Sequence, residues 1–600
     1  MSTFRLWAPD AKAVRVVTNS DPGPAADQDG GPDEGDLVHD MIAEAGGWWW
    51  VNVPAAGPGT DYAFLLDGEA RELPDPRSAR QPYGVHGRSR LVDHSRFTWT
   101  DAAWHGSPLP GSVLYELHVG TFTPEGTFDA AIDRLDHLAA LGVSAVELLP
   151  VNAFPGRRGW GYDGVDLFAV HEPYGGPDGL KRFVDAAHNR GLGVVMDVVY
   201  NHLGPDGNYL SQFGPYFTTT HLTPWGPAVN LDAPGSDEVR AFVIDNVRMW
   251  LRDYHCDGLR LDAVHAFADS RARPLLEEIG DAVGKLSAQQ GRPLFVVAES
   301  DLNDPRLVAR KEAGGYGLDA QWTDDVHHAL WAALSGERQG YYVDFGSLAT
   351  LAKALSRGFV HDGTYSAFRG RHHGRPVPPN IPAHRFVVSL QNHDQIGNRA
   401  RGDRASETLS DGLLRVGAAL LLTSPFTPML FMGEEWGART PWQYFTDHVS
   451  PELAAAVSAG RRREFAAHGW GPSEVPDPQE QSTFEASQLD WNEPERAEHR
   501  SLLDWYRRLI ALRRDLPGLS DPSWASVRCA FDEEARWFVL YRASLAVVAN
   551  LSRERREVPV DGVPFDVPAA SLPGFLYMPG RVDLDGESVV VARLVDAPPG

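Results

Sequence analysis

The sequence predicts an α/β fold: a (β/α)8 TIM barrel with an N-terminal β-sandwich domain and a C-terminal β domain. From residue 112, apolar runs of strand length alternate with amphipathic stretches of helix length, the pattern of βα units and a parallel sheet. Eight such runs can be counted, the number that closes this kind of barrel. At both ends of the chain the runs are short and separated by turn residues, which is typical of small β domains.

The eight candidate strands follow one another at intervals that leave room for helices. In chain order they read VLYELHV, VSAVELLPV, GVVMDVVYNH, DGLRLDAV, PLFVVAES, GLDAQW, RFVVSLQNHD and TPMLFMGEEW. Helical sequence is predicted at 127–141, 178–190, 236–255, 271–290 and 502–515, and insertions near 203–235, 363–383 and 436–490. The predicted domains are therefore 1–100, 111–520 and 521–600.

Composition excludes several classes of protein. The 55 Lys plus Arg and 81 Asp plus Glu give a formal charge of −26, which disfavours nucleic acid and anionic membranes as partners. Cys256 and Cys529 are too few for a disulfide framework or a cysteine metal cluster. Neither a secretory signal nor a run of about 18 apolar residues is present, so a cytoplasmic protein is expected. The acidic Gly/Pro stretch at 20–36 predicts a mobile surface loop.

Acidic residues stand where three of these strands end. Asp262 follows strand four, Glu299 strand five and Asp394 strand seven. In a barrel these ends share one face, where catalytic residues lie. One acid alone is more typical of a helix cap or turn, but three at matching depth favour a functional site. Glycoside cleavage needs one ionised and one protonated carboxyl group.

The neighbours of these acids suggest their roles. Arg260 lies two residues before Asp262, on the same face of the strand, and would keep that carboxyl ionised as a nucleophile. Glu299 follows the apolar run LFVVA, which favours the protonated acid. Asp394 could accept hydrogen bonds from sugar hydroxyls. His202, His265 and His393 could donate to others.

Four of these strand ends resemble the motifs of the α-amylase family, glycoside hydrolase family 13. They are DVVYNH (197–202), GLRLDAVH (258–265), AES (298–300) and SLQNHD (389–394), in the order that the family has. The resemblance implies a retaining double displacement on α-glucosidic bonds. It makes Asp262 the nucleophile, Glu299 the general acid/base and Asp394 the stabiliser of the transition state. Arg260, His202 and His393 also match the residues of the family's site.

Several loops resemble the members of this family that release trehalose. The matching stretches include VYNHLGPDGNYL (199–210), QWTDDVHHAL (321–330) and GEEWGARTPWQYFTDH (433–448). The resemblance implies hydrolysis of the α-1,4 bond next to the terminal trehalose of maltooligosyl trehalose, and a functional pairing with the synthase that makes this substrate. No cofactor is expected.

Recognition of trehalose requires polar groups on the leaving-group side of the site. We expect them among six residues after strands six and seven: Asp324, Asp325, His327, His328, Gln395 and Asn398. The acids of DDVHH equally suit a helix N-terminus that complements the helix dipole. The candidate platforms for sugar stacking are Trp160, Tyr162, Trp225, Trp442 and Tyr444, although any one of them could instead pack loops. Trp48–Trp50 are expected to serve core and interdomain packing.

Two alternatives to a trehalose-releasing hydrolase remain at this stage. A branching or transferring enzyme would use the same acids with a sugar hydroxyl in place of water. An α-glucan-binding protein would need the aromatic residues but no acid/base pair.

No metal is expected at the mouth of the barrel. The three histidines could suggest zinc, but the sequence has no HExxH helix. Many amylases bind calcium near the position of Asn201, but no further calcium ligands can be identified here.

Overall fold

The computed structural model describes residues 2–19, 32, 35–466 and 474–595. Eight parallel strands close a barrel in which neighbours along the chain are also neighbours in space. The strands are β1 (Leu114–Leu117), β2 (Ala145–Leu148), β3 (Gly193–Val198), β4 (Gly258–Leu261), β5 (Phe295–Ala298), β6 (Ala320–Trp322), β7 (Phe386–Ser389) and β8 (Thr427–Phe431). All eight predicted strands are confirmed, and pairing of β8 with β1 completes the barrel.

Helices follow most strands, close to the predicted places. The longer ones are Gly176–His188, Ser236–Arg252, Leu275–Gln290, Asp324–Ser335, Leu348–Arg357, Asp411–Leu422, Pro451–Ala466 and Ala497–Asp515. The single helix predicted at 127–141 is wrong: it is two helices, Phe128–Ile132 and Leu135–Leu141. Thr127 caps the first through the Ala130 N–H, and Gly142 at φ 94° ends the second. The apolar periodicity continues across the break, so it gave no signal of it.

The barrel interior has an apolar layer below a charged one. Leu114, Ala145, Val195 and Phe295 belong to one buried cluster inside the barrel. Side chains alternate along a strand, so the residue two places further on faces the interior as well. The residues two places past Leu114, Ala145, Val195 and Gly258, on β1 to β4, carry ionisable side chains and are no more than 2% exposed: Glu116, Glu147, Asp197 and Arg260. The charged layer therefore lies between the apolar layer and the C-terminal mouth of the barrel.

Two β sheets form the N-terminal region. One contains Ser2–Trp7, Ile42–Glu44 and Trp48–Val53, and the other contains Val14–Asn19, Leu37–Asp40, Asp61–Leu66 and Ser89–Arg90. Arg77 lies over the Trp48 ring and over Phe168 of the barrel region, and it pairs with Asp245 at 3.0 Å. Arg77 thus lies between the Trp48 ring and the barrel region, and an interdomain role of Trp48 itself stays a prediction. Most of the loop predicted at 20–36 lies outside the described residues.

The C-terminal region also has two sheets. The larger consists of Val527–Asp532, Trp537–Arg542, Leu545–Asn550, Val563–Ala570 and Ser588–Val595, and the smaller of Arg556–Pro559, Leu576–Met578 and Arg581–Leu584. The β domains of the predicted fold class are thus present before and after the barrel in the chain. Divisions near residues 100 and 520 stay a prediction. No helix among the described residues has the length and apolar character that crossing a bilayer requires.

Candidate active site

Arg260 lies at the centre of the polar cluster at the barrel mouth. Its Nη1 donates to Asp262 Oδ1 at 2.8 Å and to Asp197 Oδ2 at 2.8 Å, while Nη2 lies 3.0 Å from Glu299 Oε2. The Nη2 contact is not aligned as a hydrogen bond. The guanidinium is fully buried and lies 4.4 Å from the Trp322 ring centroid. One cation therefore joins the carboxyl groups of three consecutive strands, β3 to β5.

Asp262 has fixed donors on both oxygens. Arg260 serves Oδ1, and Asn201 Nδ2 donates to Oδ2 at 2.8 Å. The amide oxygen of Asn201 faces His202 Nδ1, and His202 Nε2 donates to the Tyr162 carbonyl at 3.1 Å. Charge-assisted bonds of this kind hold a carboxylate in one orientation. Asp262 is 9% exposed, which leaves it open to the barrel mouth.

Glu299 lies in a different environment from Asp262. Its Oε2 accepts a 2.6 Å hydrogen bond from the Ala263 N–H, which is presented by a left-handed backbone (φ 39°) that is costly for alanine. Burial raises the pKa of Glu299 to about 8; Arg260 opposes the shift, while Asp262 and Asp394 add to it. At neutral pH the structure thus offers a protonated carboxyl next to a carboxylate held by an arginine. This is the pairing that cleavage of a glycoside requires.

His393 and Asp394 begin a short helix after β7, His393–Gly397. The His393 ring is stacked on Tyr162, with centroids 5.2 Å apart, and its Nε2 lies 2.8 Å from the Tyr162 hydroxyl. Nε2 is also 3.6 Å from Asp394 Oδ1. The Asp394 side chain is 39% exposed, the most open of the three acids, whereas the side chains of Glu299 and Asp262 are 18% and 12% exposed.

The loop and helix after β6 divide the predicted trehalose contacts into two groups. Asp324 is partly exposed, and burial, followed by the charges of Asp394, Asp325 and Asp301, raises its pKa to about 7. Asp325 is buried and accepts hydrogen bonds from Asn303 Nδ2 and from the Val360 and His361 N–H groups.

His327 and His328 are also buried. His327 Nε2 bonds the Tyr342 hydroxyl at 3.1 Å, and the His328 ring packs on Tyr341 and Phe345. Of the DDVHH residues, Asp324 is the one that faces the acids of the mouth. For Asp325, His327 and His328, direct sugar contact stays a prediction, and their burial does not favour it.

Gln395 and Asn398 lie on the same side of the mouth as Asp394. Asn398 is exposed and its Nδ2 lies 3.5 Å from Asp394 Oδ1, and Gln395 accepts a bond from the Tyr341 hydroxyl at 3.3 Å. His265 is exposed on the short turn Val264–Ala266 after β4. These positions are compatible with the predicted sugar contacts of Gln395, Asn398 and His265, which stay predictions.

The aromatic candidates differ in what they expose. Trp442 is fully buried, so a stacking platform at this residue is wrong; its ring packs on Trp160 at 5.4 Å. Trp160 is 8% exposed and also touches Tyr444, so these rings pack the loop after β8. Trp225 is 50% exposed, and its ring lies parallel to His202 with centroids 4.4 Å apart.

Two acids of this site were missed from the sequence. Asp197 stands inside the DVVYNH motif and bonds Arg260 and Tyr162, and burial raises its pKa to about 6. Glu116 stands inside the first strand and bonds His393. A charged residue at an interior position of an apolar strand was the available signal for both.

Within the described residues, no group of three or more His, Cys, Asp or Glu side chains is placed to hold a metal ion. Both ends of the Asn201 amide are engaged by protein groups, Asp262 and His202.

Comparisons with known proteins agree with this geometry. The family model "Alpha amylase, catalytic domain" matches residues 92–215, and a domain of unknown function, DUF3459, matches residues 522–591. A crystal structure of a putative alpha amylase from Salmonella typhimurium superposes with a TM-score of 0.87 at 38% identity, covering 99% of this chain and 97% of that one. Barrel and catalytic-domain match together define the class, the α-amylase type of glycoside hydrolase.

Curated relatives narrow the class further. The malto-oligosyltrehalose trehalohydrolase of Arthrobacter ramosus is 58% identical over 86% of this chain and 87% of its own length. That of Rhizobium sp. (strain M-11) is 54% identical over 92% and 91%. The chain belongs to the malto-oligosyltrehalose trehalohydrolase family.

Proposed function

We propose that this protein hydrolyses the α-1,4-glucosidic bond next to the terminal trehalose of maltooligosyl trehalose. The products are trehalose and a maltooligosaccharide shortened by that unit. The observation that carries the proposal is the shared guanidinium of Arg260, which lies 2.8 Å from one carboxyl, Asp262, and 3.0 Å from the other, Glu299, on adjacent strands. The names of the curated relatives support the choice of substrate.

The first half of the reaction transfers the glucan chain to the protein. Asp262 attacks the anomeric carbon while Glu299 gives its proton to the glycosidic oxygen, so the C–O bond breaks and trehalose leaves with a restored hydroxyl. A covalent glycosyl ester on Asp262 remains. Asp394 stands beside His393, where it can accept hydrogen bonds from hydroxyls of the sugar ring as the ring flattens.

The second half returns the protein to its starting state. Glu299, now a carboxylate, takes a proton from water, and the hydroxide that forms replaces the Asp262 ester oxygen on the anomeric carbon. Two inversions at that carbon give net retention. A carboxyl separation of about 5–5.5 Å between Asp262 and Glu299 is expected for this outcome.

Selection of trehalose is proposed for the side of the mouth formed after β6 and β7. Asp324 is partly exposed there, and none of the side-chain hydrogen bonds found within the described ranges engages its carboxyl. Asn398 and Gln395 lie on the same side. A sugar hydroxyl that satisfies such groups discriminates strongly against a substrate that lacks it. The α,α-1,1-linked end must be supplied by an enzyme that makes it from an α-glucan, and we propose a pairing with that synthase.

The proposal is tested by product analysis on two substrates, maltotriosyl trehalose and maltopentaose. We expect free trehalose and maltotriose from the first, and slow cleavage of the second. New branch points or longer chains with little net hydrolysis would instead support a transferase. Binding of both sugars without any turnover would contradict an enzyme.

A further inference from the structure

The charge state of His393 can be read from its hydrogen-bond partners. Nδ1 lies 2.6 Å from Glu116 Oε1, and the His393 backbone N–H donates to Glu116 Oε2 at 2.9 Å. A carboxylate only accepts, so Nδ1 carries a hydrogen. Glu116 thus holds both the ring and the backbone of this one residue.

The second ring nitrogen also faces an acceptor. Nε2 lies 2.8 Å from the Tyr162 hydroxyl, but that hydroxyl donates its single hydrogen to Asp197 Oδ2 at 2.7 Å. Asp197 also receives Arg260 Nη1, so it too acts as an acceptor. The Tyr162 oxygen must therefore accept from Nε2–H, and His393 with hydrogens on both nitrogens is an imidazolium.

We propose that Glu116 is a positioning residue that fixes His393 as an imidazolium, aimed at Asp394 and at the sugar-binding mouth. The inference rests on the proposed function for its kinetic readout. It connects β1 to the nucleophile through one chain of contacts: Glu116, His393, Tyr162, Asp197, Arg260 and Asp262. Glu116 is 1% exposed and bonds His393 through both of its oxygens, so its effect on the reaction passes through His393.

The charges around His393 agree with this assignment. Burial disfavours the charged ring, yet Asp394 and Glu116 outweigh it and, against the opposing charge of Arg260, raise the pKa of His393 to about 9. Two further titratable neighbours are Tyr162 and His118. Burial raises the pKa of Tyr162 well above its usual value, and it lowers the pKa of His118 to about 3. Both are therefore uncharged at neutral pH, and the two carboxylates hold the proton.

Glu147 provides a matched control. It pairs with Glu116 in the register of β1 and β2, and both residues are 1% exposed. Neither Glu147 oxygen has a hydrogen-bond partner among the described residues. Burial raises the pKa of Glu147 well above its usual value and favours the neutral carboxyl, so we expect Glu147→Gln to leave the charge near His393 unchanged.

The first test follows the ring itself in the ligand-free protein. Histidine labelled with ¹³C at Cε1 gives one resonance per residue, and a His393→Gln sample assigns the signal. In Glu116→Gln we expect the titration midpoint of His393 to fall by about 1 to 3 pH units, the effect of losing one adjacent opposite charge. Glu147→Gln should leave the midpoint in place. Equal midpoints in the wild type and Glu116→Gln would overturn the proposal, whatever the protein's substrate.

The second test is the pH profile of kcat/KM on maltotriosyl trehalose. If the midpoint falls by two units, the charged fraction of His393 at pH 8 falls about tenfold, and kcat/KM should fall with it and recover on acidification. Glu116→Asp keeps the charge and should restore the alkaline limb even if the maximal rate is lower. A Glu116→Gln profile that is lowered equally at every pH would show a merely structural residue and contradict the proposal. Absence of turnover in the wild type would contradict the proposed function but leave the first test intact.

Discussion

Strand β4 has an aspartate at each end, and the two have opposite designs. At the N-terminal end, Asp257 is completely buried and accepts from Trp104 Nε1 at 2.8 Å, the Val194 N–H at 2.9 Å and Arg292 Nη1 at 2.5 Å. At the C-terminal end, Asp262 has two donors and remains 9% exposed. The same residue type at both ends of one strand thus forms a closed cluster at one end and an open one at the other.

The closed cluster holds the chain that enters the barrel. His188 lies between Asp257 and Asp101, and Trp104 stacks on it with centroids 4.8 Å apart. Hydrogen bonds from His188 and His255 outweigh burial and lower the pKa of Asp101. All the donors here belong to the protein, whereas the open cluster keeps Glu299 with one backbone donor and Asp394 exposed. The comparison indicates what distinguishes the reactive end of the strand. Acids are present at both ends, but only at the reactive end do the carboxyl oxygens keep lone pairs that no donor among the described residues occupies.

The largest effect is expected from the open end. Glu299→Gln removes the proton donor and should lower kcat on maltotriosyl trehalose by about 10²- to 10⁴-fold. Steady-state trehalose release measures it, with circular dichroism to confirm folding. A variant that turned over at a near-normal rate would remove Glu299 from the acid role.

Asp257→Asn breaks the closed end. Leaving Arg292 and His188 without their buried carboxylate should cost about 3–5 kcal/mol of unfolding free energy, since breaking a buried pair leaves a charge uncompensated. Urea denaturation checks this, and kcat/KM measured below the transition should match the wild type. A stable Asp257→Asn variant with lost activity would reverse the roles assigned to the two ends.

A smaller effect is expected in the pH dependence of activity and of stability, both of which depend on Glu299 at the open end. Glu299 must carry its proton to act as an acid, and its raised pKa of about 8 means that kcat/KM falls as the pH rises through about 8. Because the pKa is raised in the folded state, the folded protein keeps Glu299 neutral where the unfolded chain ionises it, so the free energy of unfolding falls as the pH rises from about 4.3 to about 8. Glu299→Gln should therefore melt at a higher temperature than the wild type at pH 8. The two melting temperatures should converge near pH 4, and a constant difference at both pH values would contradict this account.

The residues at the open end of β4 could be predicted from the sequence better than those at the closed end. Asp262, Glu299 and Asp394 were found because each follows an apolar strand, and the barrel places strand ends together. The link between Glu116 and His393 was not found, because partners 277 positions apart are set by barrel closure and not by any local pattern. Trp442 was a candidate stacking platform although it is buried, because an aromatic residue in a loop sequence does not show which side of the loop its ring faces.

The break in the helix predicted at 127–141 had a different cause. Apolar residues recur at helical spacing through both halves, so periodicity alone could not locate a turn at Asp133 and Arg134. Site residues on strands were therefore predictable, while loop aromatics and long-range partners depended on packing.

The most direct test of the open end is to look for the covalent ester on Asp262. Glu299→Gln is incubated with α-maltosyl fluoride, whose leaving group needs no acid, and is then digested and analysed by mass spectrometry. Because the variant has no base to activate water, we expect a maltosyl adduct to accumulate on the peptide that contains Asp262, and none in Asp262→Asn/Glu299→Gln. An adduct on another carboxyl, or turnover through no adduct at all, would contradict the assignment of Asp262 as the nucleophile.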